Sequence, residues 1–326
     1  MINIFATLGP STLNKNFLQN LNPRYIKLLR INLSHTDLKE ITTIVNYIRR
    51  YTKINICLDT EGAQIRTSKL SKKTINLKKN DIVYFKGFSN SINLVPKQIE
   101  NKFKKNDIVS IDFNSVKVKI ISRNDRICKG KVISDGMIAS NKGVSIDRII
   151  NLPSFTEKDI RAFDLANKLK INHIALSFTS KAEDIVNLRK YFNYKISVTS
   201  KIESRKGLKN LKSILYEADN ILIDRGDLSR EINLEKIPKT QKNIIMQANK
   251  QNTPVYVATN LLESMVTKQE PTRAEINDVY NTLIDGATGL VLAAETAIGK
   301  YPNQCIEMLR KVAIEANKFK NAQKSR

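Results

Sequence analysis

Lys201 and Glu203 stand two residues apart at the end of the run KISVTSKIE, and in an extended strand that spacing puts both side chains on one face. Such a pair is commonly a cross-strand or surface ion pair. It becomes a chemical site if other strands end beside it in complementary groups. Thr7, Arg30 with Asn32, Asp59 with Thr60, Ser177, Thr259, and Glu295 with Thr296 each close a β-branched run, and Asp227 follows another. A guanidinium, an ammonium and several carboxylates gathered at one rim are the charges that metal-assisted phosphoryl transfer uses. Carboxylate oxygens hold Mg²⁺ or Mn²⁺, and fixed cations stabilise the transferring group. The tripeptide RGD at 225–227 leads into a helical pattern, so backbone N–H groups there, including that of Gly226, could hold a carboxylate.

Bringing these residues together requires a particular frame. The runs INIFAT, YIKLLRIN, INICLDT, HIALSF, KISVTSKI, NILID, PVYVAT and LVLAAE alternate with helical patterns such as KTQKNIIMQANKQ at 239–251. Eight such units predict an α/β chain folded as a (β/α)₈ TIM barrel, whose functional residues gather at the C-terminal ends of the strands. Ser180 before KAEDIVNLRKYF and Thr272 before RAEINDVYNTLIDG read as helix N-caps. Between 69 and 147 the rhythm changes to short β-branched runs (KTINL, DIVYF, DIVSID, VKVKIIS, CKGKVI) separated by Asn, Asp, Gly and Lys turns. The expectation is an inserted small all-β lid domain at 69–147, with the barrel supplied by 1–68 and 148–326.

With 326 residues and 41% hydrophobic content the chain can bury a large core, which excludes general disorder. No apolar run reaches the roughly 20 residues that span a bilayer, and MINIFATLGPS lacks the pattern of a signal peptide, so the expectation is a cytoplasmic protein without membrane association. Cys57, Cys128 and Cys305 lack metal-ligand spacing and read as packing residues. The net charge of +24 attracts phosphates, but the lysines are spread along the chain without an aromatic-rich stacking module, so no dedicated nucleic-acid partner is expected.

In order along the chain, ATLGPST, LLRINLSH, LDTEGAQIRT, NKGV, LPSFTEKD, SKIES, RGDLSREI, ATNLLESM, PTRAEINDV and AAETAIGKYP resemble the pyruvate kinase family across nearly the whole sequence. The resemblance implies phosphoryl transfer from phosphoenolpyruvate to ADP or another nucleoside diphosphate in glycolysis. It assigns Glu203 and Asp227 to the divalent metal, Lys201 and Arg30 to the transferring phosphate, and Gly226, Asp227 and Thr259 to substrate, with Thr259 near the carbon that is protonated. His35, Arg66 and Lys142 match nucleotide-side residues, although isolated cations such as Arg66 and Lys142 are as readily solvated surface charge. Asn32, Ser34, Asp59 and Thr60 match ligands of a monovalent cation, K⁺.

Several positions depart from the family. Gln64 stands where K⁺-dependent members carry Glu and others Lys. Ala293 replaces a serine associated with the proton path, Glu61 a lysine, Asn260 a glutamine and Ile298 a lysine, and Phe113-Asn114 replaces Asp-Gly in the lid. The family's C-terminal domain has no counterpart in the sequence, from which a homodimer without sugar-phosphate activation is expected. Two alternatives stay open: a phosphoenolpyruvate- or enolate-using enzyme with a different acceptor, and a noncatalytic paralogue with a binding or regulatory role.

Overall fold

The computed structural model describes residues 2–324 apart from 71, 113 and 114; the Phe113-Asn114 departure therefore lies outside the described residues. The eight expected runs become β1 (Asn3–Thr7), β2 (Ile26–Asn32), β3 (Asn55–Asp59), β4 (His173–Leu176), β5 (Ser197–Ile202), β6 (Asn220–Asp224), β7 (Val255–Ala258) and β8 (Gly289–Leu292). They close in the order β1-β8-β7-β6-β5-β4-β3-β2 with every pairing parallel, a (β/α)₈ barrel. Closure leaves no strand edge without a partner.

Each barrel strand is buried on both faces, and the period of two separates their tasks. Ile4, Ala6, Leu29, Ile31 and Leu58 belong to the layer between strands and helices. Phe5, Leu28, Cys57, Ala175, Leu222 and Val291 belong to a separate apolar cluster, in which Phe5 and Tyr256 stack with ring centroids 4.1 Å apart. Two residues further along the same strand faces come Thr7, Arg30, Asp59, Ser177, Asp224 and Ala293. The inward face thus turns from apolar to polar toward the C-terminal ends, with burial of each large apolar side chain contributing about 1.5–3 kcal/mol below that level.

The surrounding helices include α1 (Leu38–Tyr51), α2 (Glu157–Leu169), α3 (Ala182–Arg189), α4 (Leu211–Glu217), α5 (Arg225–Glu231), α6 (Ile237–Lys250), α7 (Arg273–Ile284) and α8 (Pro302–Lys324). In α1 the buried positions are Ile41, Val45 and Ile48, one helical stripe. Thr156 with Asp159 caps α2 and Thr272 with Glu275 caps α7, each by a reciprocal capping box. At α3 the cap falls on Lys181 instead of Ser180, because the Asp184 carboxylate reaches back to accept hydrogen bonds from Ser180 N–H and Oγ (2.9 Å each) and Lys181 N–H (3.1 Å). Among the described residues no helix is long and apolar enough to cross a membrane.

The chain divides into two compact units. The barrel comprises Met1–Gly62, Ser154–Leu228 and Ile232–Arg326, and the second unit comprises Ala63–Pro153 with Ser229–Glu231. Apart from Ser229–Glu231, the end of α5, the described residues of the second unit form β-strands and one 3₁₀ turn. Its seven-stranded antiparallel sheet runs Ile82–Lys86, Cys128–Ser134, Val116–Arg123, Ile108–Ile111, Gly143–Ile146, Ile65–Thr67, Leu94–Val95, and Gly136–Ala139 pairs separately with Thr74–Leu77. The unit extends beyond 69–147 at both ends. Ile65–Thr67 pairs with Gly143–Ile146 and Lys102 Nζ bonds the Asn151 carbonyl (2.7 Å). All three cysteines are buried and free, and burial pushes the Cys57 thiol up to about 12, which keeps it inert.

Closure between β8 and its neighbours depends on Gly289. A Cβ there would stand 2.1 Å from the Asn3 carbonyl oxygen and 2.7 Å from the Tyr256 ring. Gly289→Ala is expected to destabilise the chain by at least ~1–3 kcal/mol, the usual scale of overpacking, read as a lower urea midpoint. An unchanged midpoint would mean that this contact does not constrain the barrel.

Candidate active site

The C-terminal ends of the barrel strands place six ionisable groups together. Arg30, ending β2, pairs with Asp59, ending β3, and its Nη1 donates to Thr7 Oγ1 (2.8 Å), which itself donates to the Leu292 carbonyl (2.7 Å). Lys201 on β5 lies 2.9 Å from Glu203, 3.4 Å from Asp59 and 3.5 Å from Asp224, and its Nζ donates to Ser177 Oγ (3.1 Å). Ser177 Oγ also contacts Asp59 Oδ1 (3.1 Å) and the Thr60 carbonyl (2.7 Å). Lys201 is 4% exposed and Glu203 and Asp59 are 0% exposed. Charges so far from water persist only with partners of the opposite sign.

The electrostatics follow. Burial alone would lower the proton affinity of the Lys201 ammonium, but Asp59, Glu203 and Asp224 together outweigh it and hold this group above the ordinary lysine value. Burial would likewise raise Asp59, yet Arg30 and Lys201 keep it below the usual carboxylate range. Glu203 is the exception. Burial, with Asp224 and Asp227 adding like charge, pushes its carboxyl up to about 8 against the pull of Lys201 and of the Phe178 N–H that donates to Oε2 (2.6 Å).

Glu203, Asp224 and Asp227 offer oxygens that all lie within 4.8 Å of one another, and buried Glu203 Oε1 accepts no well-formed hydrogen bond although Lys201 Nζ is near. Three hard oxygen donors this close together, one of them buried and accepting no well-formed hydrogen bond, fit a divalent cation such as Mg²⁺ or Mn²⁺.

Beside the carboxylates, Thr259 has φ +70° and Asn260 φ +53°, left-handed conformations that a β-branched threonine rarely adopts. Thr259 Oγ1 accepts from Gly226 N–H (2.9 Å) and donates to the Ala258 carbonyl (2.6 Å). Glu295 ties the ends of β7 and β8, accepting from Leu262 N–H (3.2 Å) and Ala293 N–H (2.8 Å).

The family model described as pyruvate kinase, barrel domain, matches residues 1–306. The chain belongs to the pyruvate kinase family. It is 34% identical to the pyruvate kinase of Thermotoga maritima over 97% of this chain and 71% of that protein. It is 30% identical to those of Staphylococcus saprophyticus and Staphylococcus aureus, over 96% of this chain and 56% of each relative, so it spans little more than half the length of the staphylococcal enzymes.

Of the residues singled out in the sequence, Arg30, Asp59, Lys201, Glu203 and Asp227 gather in the barrel of this pyruvate kinase family member, with Gly226 and Thr259 bonded to each other. Asn32 lies in register with Asp59, and its Oδ1 accepts from Ser34 N–H (3.0 Å); Thr60 Oγ1 accepts from Ser177 N–H (2.8 Å). His35 N–H donates to the Asn32 carbonyl (3.1 Å). Two cations already balance the Asp59 carboxylate, so a monovalent cation on these residues rests on the resemblance alone. The Gly226 and Asp227 N–H groups are engaged by Thr259 Oγ1 and Asp224, so to hold a carboxylate they must give up or share those contacts.

Arg66 and Lys142 belong to the second unit, where Arg66 Nη1 donates to the Asn141 carbonyl (3.0 Å) and Lys142 pairs with Asp112 (3.1 Å). Sequence reasoning passed over Asp224, the third carboxylate of the metal group. The signal was present: in NILID the inward face continues from Leu222 to Asp224, but the RGD that follows drew attention to Asp227. Arg225 and its partner Asp278 were also missed, because the residues are 53 apart in the chain.

If the carboxylates form a divalent site, Mg²⁺ or Mn²⁺ raises the melting temperature of the wild type, by the equivalent of about 2.7 kcal/mol at 100 times the dissociation constant. Glu203→Gln and Asp227→Asn should each lose most of that shift. A shift of wild-type size in both variants would place the ion elsewhere.

Proposed function

We propose that the chain transfers the phosphoryl group of phosphoenolpyruvate to a nucleoside diphosphate, ADP being the first expected acceptor, to give pyruvate and the triphosphate. The observation that carries this reading is the buried cluster in which Lys201 and Arg30 share Asp59 beside Glu203, Asp224 and Asp227. The bond between phosphorus and the enol oxygen breaks, a bond to the terminal oxygen of the diphosphate forms, and the enolate carbon takes up a proton. Arg30 and Lys201 neutralise charge on the transferring group and the enolate oxygen, and their shared contacts with Asp59 hold both cations in place before substrate arrives. Glu203 and Asp227, with Asp224 beside them, would hold Mg²⁺ or Mn²⁺, which when bound supplies further charge neutralisation at the phosphate. Proton delivery to the enolate falls to Thr259 by the resemblance, and the two bonds of its Oγ1 leave one lone pair for a water.

A second reading, transfer to another acceptor, is favoured by Ile298. This apolar side chain is 61% exposed where the resembling family carries a lysine, a difference in charge that a different acceptor would accommodate. Incubation with phosphoenolpyruvate, Mg²⁺ and a panel of phosphate acceptors separates the two readings by which acceptor becomes phosphorylated.

The charge of Lys201 acts mainly in the transition state, so Lys201→Met is expected to lower kcat by roughly 10²- to 10³-fold with a smaller change in KM for phosphoenolpyruvate. Glu203→Gln should raise the Mg²⁺ concentration needed as well as lower the rate. Near-normal turnover in Lys201→Met with only weakened substrate binding would refute the role assigned to that ammonium.

A further inference from the structure

Two consecutive residues at the end of β7, Thr259 and Asn260, have positive φ, and for the threonine this is a strained conformation that the surroundings must enforce. Arg225 grips this residue by its carbonyl. Its guanidinium donates from Nε (3.2 Å) and Nη2 (2.6 Å) to the Thr259 carbonyl oxygen, while Nη1 donates to Asp278 on α7 (2.7 Å). The Arg225 side chain is 12% exposed. The next residue, Gly226, holds the other end of the same threonine by its N–H to Oγ1. Carbonyl and hydroxyl of Thr259 are therefore fixed by adjacent residues at the start of α5, and Asp278 anchors the fork to the outer helical layer.

We propose that Arg225, braced by Asp278, is a positioning residue for proton transfer: it aims the Thr259 hydroxyl without touching substrate. The inference rests on the phosphoenolpyruvate reading above. With its hydrogen donated to the Ala258 carbonyl and one lone pair taken by Gly226 N–H, Oγ1 has one lone pair left. Thr259 in this orientation accepts a hydrogen bond from a water. That water gives its other proton to the methylene carbon of the enolate, and the C–H bond forms as the water's O–H bond breaks; the hydroxide left behind takes a proton from a buffer acid in the surrounding solution. Losing the fork frees the carbonyl to turn, the backbone relaxes from the left-handed region, and the lone pair no longer points at the water. A lysine in place of Arg225 keeps the charge but cannot supply two parallel donors to one oxygen.

The two half-reactions can be read apart. Exchange of the methyl protons of pyruvate with D₂O, followed by NMR in the presence of Mg²⁺ and inorganic phosphate, reports on the carbon alone. Arg225→Ala is expected to slow methyl exchange by about 10²-fold while KM for phosphoenolpyruvate stays within about threefold. Added guanidinium should restore part of the exchange in Arg225→Ala, Arg225→Lys should remain slow, and Asp278→Asn, the milder change if Arg225→Ala folds poorly, should lie between. A merely structural role predicts a lowered melting temperature with exchange and transfer falling together and no rescue, and that result overturns the proposal, as does wild-type exchange in Arg225→Lys. A wild type that neither transfers phosphate nor exchanges methyl protons sinks the phosphoenolpyruvate reading itself, whereas an active wild type with unaffected variants sinks this inference alone.

Discussion

Asp59 has no contact with solvent and lies between two cations that are themselves buried, Arg30 and Lys201. Removing Asp59 would take from the buried Arg30 guanidinium its ion-pair partner, a loss of several kcal/mol. The three come from β2, β3 and β5, so their mutual neutralisation fixes how those strand ends stand relative to one another. The parallel register supplies this, setting Asn32 opposite Asp59 and Lys201 opposite Leu222. Any slip by one residue would turn the charged side chains out of the inward row.

Such a cluster is tolerable because stability is drawn from elsewhere. The layer between strands and helices and the stacked Phe5–Tyr256 interior are apolar, and the polar rim begins only beyond them. Strain is localised in the same way. The left-handed backbone at Thr259 and Asn260 lies at the strand end, where Arg225, Gly226 and Ala258 hold it in place, and the strand below is regular and fully buried.

At two of the positions where the resemblance to the family breaks, 61 and 293, the backbone carries the contact. Ala293 has lost a hydroxyl, but its N–H still bonds Glu295. Glu61 replaces a lysine, while its N–H and that of Gly62 remain fixed on the Asp159 carboxylate. Gly62, at φ +71°, cannot drift so freely, since a Cβ would stand 2.7 Å from that of Ser177. Substitution at 61 and 293 has therefore altered side-chain chemistry while leaving the loops' anchoring in place.

The sequence by itself determined the elements and the faces. Alternation placed Lys201 with Glu203 on one side of a strand, eight β-branched runs separated by helical patterns implied a parallel barrel, and strand-end position marked Arg30, Asp59 and Thr259. These are local properties, set by a period of two and by turn chemistry, so they are legible without a partner strand. What only the tertiary structure decided is which groups meet. Asp224 joins Glu203 and Asp227 because β5 and β6 are neighbours, Arg30 and Lys201 converge on one carboxylate from strands 171 residues apart, and Arg225 reaches Thr259 and Asp278 from a different element than either. The charge state of Glu203 belongs to the same class, since it depends on burial and on like charges brought near by folding. Pairings of that kind depend on barrel closure and on the fork geometry of one side chain, and neither has a signature in the spacing of residues along the chain.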